Sequence, residues 1–425
     1  MLSPSIGALL AAGAPTEFDD AAIAVALRCW MFLGADTPFK HIRAFPAGGK
    51  LTWTASAGTS VETKFIFGRR ASMPRGVAID EYIDRFRAAI ARRPCDNAGV
   101  VPLSGGRDSR HIFLELCASE NPPAVALTVG GWHQATEDGE IAKAIAARAQ
   151  VKHVLLDLPD SRWNAQAECI PANHFCTLEH WWLENLLGYL RRYDGNVSVY
   201  EGAAGDVLST AVLKSEARHQ LYDSGNFRDL ADGILDPERR VRQILSPGWY
   251  ARFSREIAID RLVRELQIHA VAPNPLASFF VYNRTRRVTA LPPTTLLSPY
   301  ATVWCPYLDS DLWDFLSSLP PETLASEKIF AFHDDAIKRA YPKFADIPFS
   351  AKWGAKPRLR RYDIRTILEM GAASGRRGIA SRSFLFPRLA RGIVDPSFTA
   401  EAADLTPTES YLRALSNVIK PVFDA

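Results

Sequence analysis

Between Ala98 and Tyr200 the chain alternates short apolar runs with helical stretches, and this alternation restricts the fold more than any other feature. Ala98–Leu103, Ala124–Val129, His153–Leu158 and Val197–Tyr200 have the length and composition of strands. Between them, Arg110–Ser119 places Ile112, Leu116 and the i,i+4 pair Phe113/Cys117 at helical spacing, and Glu140–Ala149 places Ile141 and Ile145 on one face. Thr177–Tyr193 reads as a long aromatic helix. Strand–helix alternation of this kind predicts an α/β fold, a doubly wound parallel sheet covered by helices on both faces.

The flanks read differently. Beyond Asp206 the pattern is mostly helical, most clearly over Ser326–Ala340, where Ile329, Phe332, Ala336, Ile337 and Ala340 fall on one stripe. The first 75 residues predict a helix over Asp20–Leu33 and then strands over Lys50–Thr54 and Val61–Phe67. A linker follows at Ser72–Gly76, and Ile79–Arg92 is helical. Two units are therefore expected: a small β-containing N-terminal remnant, 1–75, and a main domain, 76–425. Apolar residues make up 47% of the chain and charged residues 23%, enough burial to exclude wholesale disorder. A net charge of +3 argues against a dedicated nucleic-acid binder. Six cysteines without a Cys-x-x-Cys pair point to a reducing compartment. Every long apolar stretch is broken by charge, so no membrane span is expected and a cytoplasmic location is.

Two loops carry the chemistry. Ser104-Gly105-Gly106-Arg107-Asp108-Ser109 lies between a predicted strand and a predicted helix. Its glycines allow a tight turn and close approach of a ligand, and the helix start offers unpaired N–H groups and a positive dipole end. The loop has the make-up of a phosphate cradle, but the Gly-x-x-x-x-Gly-Lys spacing of a Walker loop is absent. Gly202-Ala203-Ala204-Gly205-Asp206 follows the Val197 strand. Ligands of open parallel sheets bind beyond the carboxyl ends of the strands, so both loops can face one crevice. There Asp206 is suited to Mg²⁺ bridging the phosphates, although a helix-capping turn would use the same residues.

Ser-Gly-Gly-x-Asp-Ser resembles the pyrophosphate loop of the asparagine synthetase-like ATP pyrophosphatases, the family of asparagine synthetases, β-lactam synthetase and lasso-peptide cyclases. Further segments resemble the family in order. Thr37–Arg43 with Pro46–Gly49 is similar to the tail of its glutaminase domain, and Gly202–Asp206 to its second pyrophosphate loop. Pro306-Tyr-Leu-Asp309 is similar to its Pro-Phe-Leu-Asp motif, and Glu327-Lys328 with Ala351-Lys352-Trp-Gly to its C-terminal signature. The resemblance implies an adenine-nucleotide α-hydrolase-like fold. It implies ATP and Mg²⁺ as cofactors, with Ser104, Gly105, Gly106, Asp108, Ser109 and Gly205 on the pyrophosphate and Asp108 and Asp206 on the metal. Val129 and Gly130 would meet adenine, and Lys352 and Asp206 would be catalytic. The implied reaction adenylates a small-molecule or peptide carboxylate, which ammonia or an amine then attacks to form an amide. Glu137 and Asp138 stand at the family's acidic pair and are read as structural. A homodimer is a further implication.

Three departures qualify the match. Leu2 stands where the family's glutaminase has its cysteine, so nitrogen is expected from ammonia, an amine or a partner protein. Ala203 replaces a glutamate tied to amine activation, and Ala204 replaces a glycine or serine. Adenylation with a hydroxylamine or sulfur donor, or a non-catalytic nucleotide-binding partner subunit, are the competing readings. Cys169, His174, Cys176 and His180 have spacing that could suggest zinc, but buried thiols at a helix start are favoured. His111 is read as packed or solvated, and the arginines from Arg358 to Arg391 as a solvated face, with an acidic peptide or carrier protein as the lesser reading.

Overall fold

The computed structural model describes residues 1–63, 72–94, 98–119, 121–130, 137–209, 215–235, 238–272, 274–324, 331–350, 360–374 and 379–418. An antiparallel hairpin pairs β1 (Lys50–Thr54) with β2 (Gly58–Glu62). The central sheet contains β3 (Ala98–Pro102), β4 (Val125–Val129), β5 (His153–Leu156), β6 (Val197–Tyr200) and β7 (Thr302–Trp304). All its pairings are parallel, in the order β5-β4-β3-β6-β7. The chain winds outward from β3 to β5, then returns to the other side of β3 to lay down β6 and β7. The direction of winding thus reverses between β3 and β6, which opens a crevice at their carboxyl ends.

Strand alternation sends side chains to both faces. Val101 and Leu103 enter a core formed with helices Arg75–Ala91, Asp108–Ala118, Glu137–Arg148, Ser310–Ser318 and Ala331–Ala340. Val100 enters the opposite core, beside Leu186 and Leu190 of helix Glu184–Leu190. Helix Arg75–Ala91 buries Ile79, Tyr82, Ile83, Phe86 and Ile90, the i, i+3, i+4, i+7 stripe that its sequence carries. Fully burying one such side chain contributes roughly 1.5–3 kcal/mol.

The helix expected over Thr177–Tyr193 is corrected. His180 adopts a left-handed conformation (φ 69), which a continuing right-handed helix cannot contain. The stretch instead forms a short turn Trp181–Leu183, helix Glu184–Leu190 and a second turn Arg191–Tyr193, stopped by left-handed Asp194. Likewise the first long helix ends at Cys29, because Trp30 turns left-handed (φ 54). That helix opens with the Asp19 carboxylate accepting the Ala22 N–H at 3.0 Å. It packs into one core with helix Arg255–His269 and with Tyr411 and Leu412 near the C-terminus. Its Arg28 is fully buried and forms a paired contact with Glu238 at 2.5 and 2.7 Å. The N-terminal segment therefore shares its core with the C-terminal helices. Of Val61–Phe67, residues 64–67 lie outside the described residues, as do Ser326–Phe330 of the predicted Ser326 helix. No helix among the described residues is long and apolar enough to cross a membrane.

Candidate active site

The two loops leave the adjacent strands β3 and β6 and touch. A Cβ added to Gly205 would lie 2.5 Å from Asp108 Cγ, and one added to Gly202 would lie 3.0 Å from Asp108 Cβ. Neither glycine has positive φ, so close approach, not backbone freedom, is what requires them. Gly105 is crowded by the Asp138 carboxylate, 2.8 Å from an added Cβ, and by Ser350. Gly106 donates its N–H to Ser104 Oγ at 3.2 Å.

Two serines brace the first loop. Ser109 Oγ accepts the Ser104 N–H at 3.0 Å, and the two hydroxyls lie 3.1 Å apart. One hydroxyl hydrogen is used between them, which leaves the other for a ligand. Arg110 is buried and donates to the carbonyls of Gly105, Ile347 and Pro348 at 3.1, 3.0 and 2.6 Å. The Ser350 N–H donates to the Gly105 carbonyl at 2.8 Å. These bonds hold segment 347–350 on the loop. Lys352 follows two positions later, outside the described residues.

Asp108 and Asp206 come together, with Glu201 beside them. Burial, then Asp206, then Glu201 hold the Asp108 carboxyl well above the usual carboxylate range. The Asp206 backbone N–H donates to it, and Arg107 offsets part of the repulsion. Arg107 is itself committed to Asp334 at 2.5 Å. Burial also raises Asp206, against the pull of Arg284 and the N–H groups of Asp206 and Val207. Burial pushes Glu201 up to about 7. Asp108 Oδ1 is buried without a hydrogen-bond partner, and His333 Nδ1 stands 3.6 Å from it, beyond hydrogen-bond reach.

Behind Asp108 lies a buried polar hub centred on His333. Its Nδ1 meets Ser209 Oγ at 3.0 Å, and its Nε2 lies 3.2 Å from both Tyr82 Oη and His111 Nδ1. Tyr307 Oη donates to the Asp108 carbonyl at 3.2 Å. His111 stacks on Phe86 with ring centroids 3.8 Å apart, the packed reading of that residue. Burial drives the His333 pKa down to about 3, so it sits neutral among neutral partners.

Three further motif residues have local explanations. Val129 ends β4, and the Gly130 N–H is spent on the Leu156 carbonyl at 2.8 Å. An added Cβ at Gly130 would meet the tip of the exposed Leu155 side chain at 2.8 Å. Asp309 caps helix Ser310–Ser318 and pairs with Arg92 at 2.5 Å and Arg93 at 2.9 Å. The Cys169–His180 cluster does not gather around a metal. Cys169 Sγ donates to the Glu179 carbonyl, and Cys176 Sγ accepts from Arg287.

Among the described residues no group of three or more His, Cys, Asp or Glu side chains is placed to hold a metal by itself. Mg²⁺ does not need one, because it is commonly held by one or two carboxylates together with phosphate and water oxygens. Half-buried, mutually repelling Asp108 and Asp206, with the unpartnered Asp108 Oδ1, fit that requirement. Sequence reasoning missed Glu201 and His333. The signal for Glu201 was its place directly after β6; His333 gave none, because its helix is remote in sequence. No protein-family model matches the chain, and no curated protein is detectably similar to it.

Proposed function

We propose that the chain is an asparagine synthetase-like ligase of adenine-nucleotide α-hydrolase-like fold. It would adenylate a carboxylate with ATP, release pyrophosphate, and pass the acyl group to ammonia or an amine. The observation that carries this reading is the contact of the two loops at Asp108, at the point where strand winding reverses.

The roles follow from the chain's own groups. The N–H groups at the start of helix Asp108–Ala118, which no side chain caps, and the spare serine hydroxyl hydrogen would be the donors for an oxygen-rich leaving group. Asp108 and Asp206 would hold Mg²⁺, which when bound neutralises the phosphate charge. Arg110 and Ser350 fix the Gly105 peptide, so the loop is shaped before a ligand arrives. Lys352 is proposed as the cation at the reacting centre. Alanines at 203 and 204 leave the adenylation half intact and put the nucleophile in question.

The test uses Asp206→Asn, which keeps the shape and removes the charge. If Asp206 holds the metal, ATP–pyrophosphate exchange falls by at least roughly 10². If it only caps helix Gly205–Ser209, exchange stays near normal, since Asn caps about as well as Asp. Retained exchange in the folded variant would overturn the assignment.

A further inference from the structure

A second feature lies outside the two loops. A cavity of about 290 Å³ is lined by the N-terminal helix end, the segment after helix Arg162–Ala172, and the C-terminal helices. That volume is at the small end of the roughly 300–1,000 Å³ usual for ligand sites. It suits a ligand of amino-acid size rather than a nucleotide.

The lining has a definite chemistry. Trp30, Phe32 and Tyr411 give it an aromatic surface. Four charged side chains join them: Arg162, Arg240, Glu179 and Asp404, two of each sign. Arg162 stands 3.9 Å from the Asp404 carboxylate, and Arg240 donates to the Asp404 carbonyl. Balanced opposite charges around an apolar space are complementary to a molecule that carries both a carboxylate and an ammonium on an apolar body.

The backbone supports a functional reading. Trp30 sits at φ 54, and His174, Phe175 and His180, flanking the Cys176–Glu179 wall, sit at φ 57, 57 and 69. Left-handed conformations at non-glycine residues cost on the order of 1–3 kcal/mol and gather at ligand sites. Trp30 and the segment that carries Glu179 are held this way.

The cavity also connects to the loops. Arg284 lies on a widened helical segment, Val281–Thr289, and reaches Glu179 at 3.4 Å. The same guanidinium acts on Asp206. One arginine therefore links the cavity wall to the second loop.

We infer that this cavity binds a free zwitterion with an aromatic side chain, an α-amino acid, its carboxylate met by Arg162 and Arg240 and its ammonium by Glu179 and Asp404. Naming that ligand as a substrate of the ligase rests on the function proposed above; the binding itself does not.

Isothermal titration of the whole chain without ATP tests the binding. L-phenylalanine and L-tryptophan are compared with phenylalaninamide, N-acetylphenylalanine and glycine. The free aromatic amino acids should bind, and each control should bind at least roughly tenfold more weakly, the loss of one charge-assisted contact or of the apolar body. Arg162→Met should erase the preference for carboxylate over amide, and Glu179→Gln the preference for ammonium over acetyl. No binding of either amino acid, or equal binding of the blocked analogues by the wild-type chain, overturns the inference whatever the variants do. Exchange is then measured with the amino acid present. Binding without stimulated exchange removes the substrate role and leaves the site. Exchange driven by other carboxylates, with no aromatic zwitterion bound, overturns the site and leaves the ligase.

Discussion

Gly205→Ala adds one methyl group where the two loops meet. Its Cβ would sit 2.5 Å from Asp108 Cγ, 2.7 Å from Oδ1 and 2.8 Å from Cβ. Carbon atoms in ordinary contact stand about 3.5–4.0 Å apart, so something must move by roughly 1 Å. Asp108 is braced by the Asp206 N–H and by Tyr307 on its carbonyl, so the loops must separate or Asp108 must swing away. Overpacking of this kind costs about 1–3 kcal/mol of stability, which the chain should survive folded. A misplacement of about 1 Å at reacting groups costs about 10² in rate. The expected result is a folded variant with a modestly lowered melting temperature and ATP–pyrophosphate exchange reduced about a hundredfold. Gly188→Ala is the control: an added Cβ there meets nothing within 4 Å, and in helix Glu184–Leu190 it should stabilise by about 0.5–1 kcal/mol with activity unchanged. Near-normal exchange in Gly205→Ala, with the fold intact, would refute the claim that the loop contact matters to chemistry.

Two further outcomes concern charge. Asp309→Ala should destabilise the chain by about 2–4 kcal/mol at pH 7 in chemical denaturation, since it removes a helix cap and leaves Arg93 without its carboxylate. Hydrogen bonds from Arg92 and Arg93 outweigh burial and hold the Asp309 pKa at about 2, below its ordinary 3.8. Its contribution is thus full above pH 3.8 and lost as pH falls through 2, and the gap between wild type and variant should close there. Glu201→Gln should act in the opposite sense. A carboxyl raised from 4.5 to about 7 favours folding below pH 4.5 and loses that advantage as pH rises through 7. The substitution should therefore raise stability at pH 8 by about 1–3 kcal/mol, after allowance for solvent screening, and much less at pH 5. An equal effect at both values would contradict the assigned environment.

The sheet was legible because its signals are local. Val197–Tyr200 is a strand at the boundaries that its sequence suggests, and β3 to β5 follow their apolar runs. β7 was not legible: three residues, Thr302–Trp304, form a strand only because β6 is there to pair with them. Trp30 and His180 broke two predicted helices, since an aromatic or histidine held left-handed leaves no composition signal of the kind that glycine gives. At the site, the glycines and Asp108 were readable as a motif, and the reason for Gly205 appeared only with Asp108 packed against it. The Pro306–Asp309 motif resembled a family signature, yet its aspartate caps a helix and pairs with arginines. His333 and Glu201 depend on contacts between distant segments, which spacing in one chain cannot express.

On the function proposed above, ATP would be cleaved between its α- and β-phosphates in the crevice between β3 and β6. Nucleotide products of the purified chain, incubated with ATP, Mg²⁺, a panel of carboxylates and an amine donor, test it most directly. AMP and pyrophosphate should form in equal amounts, dependent on the carboxylate, and at least roughly 10² more slowly in Asp206→Asn. ADP and inorganic phosphate as the products, or AMP formed equally by Asp206→Asn, would contradict it.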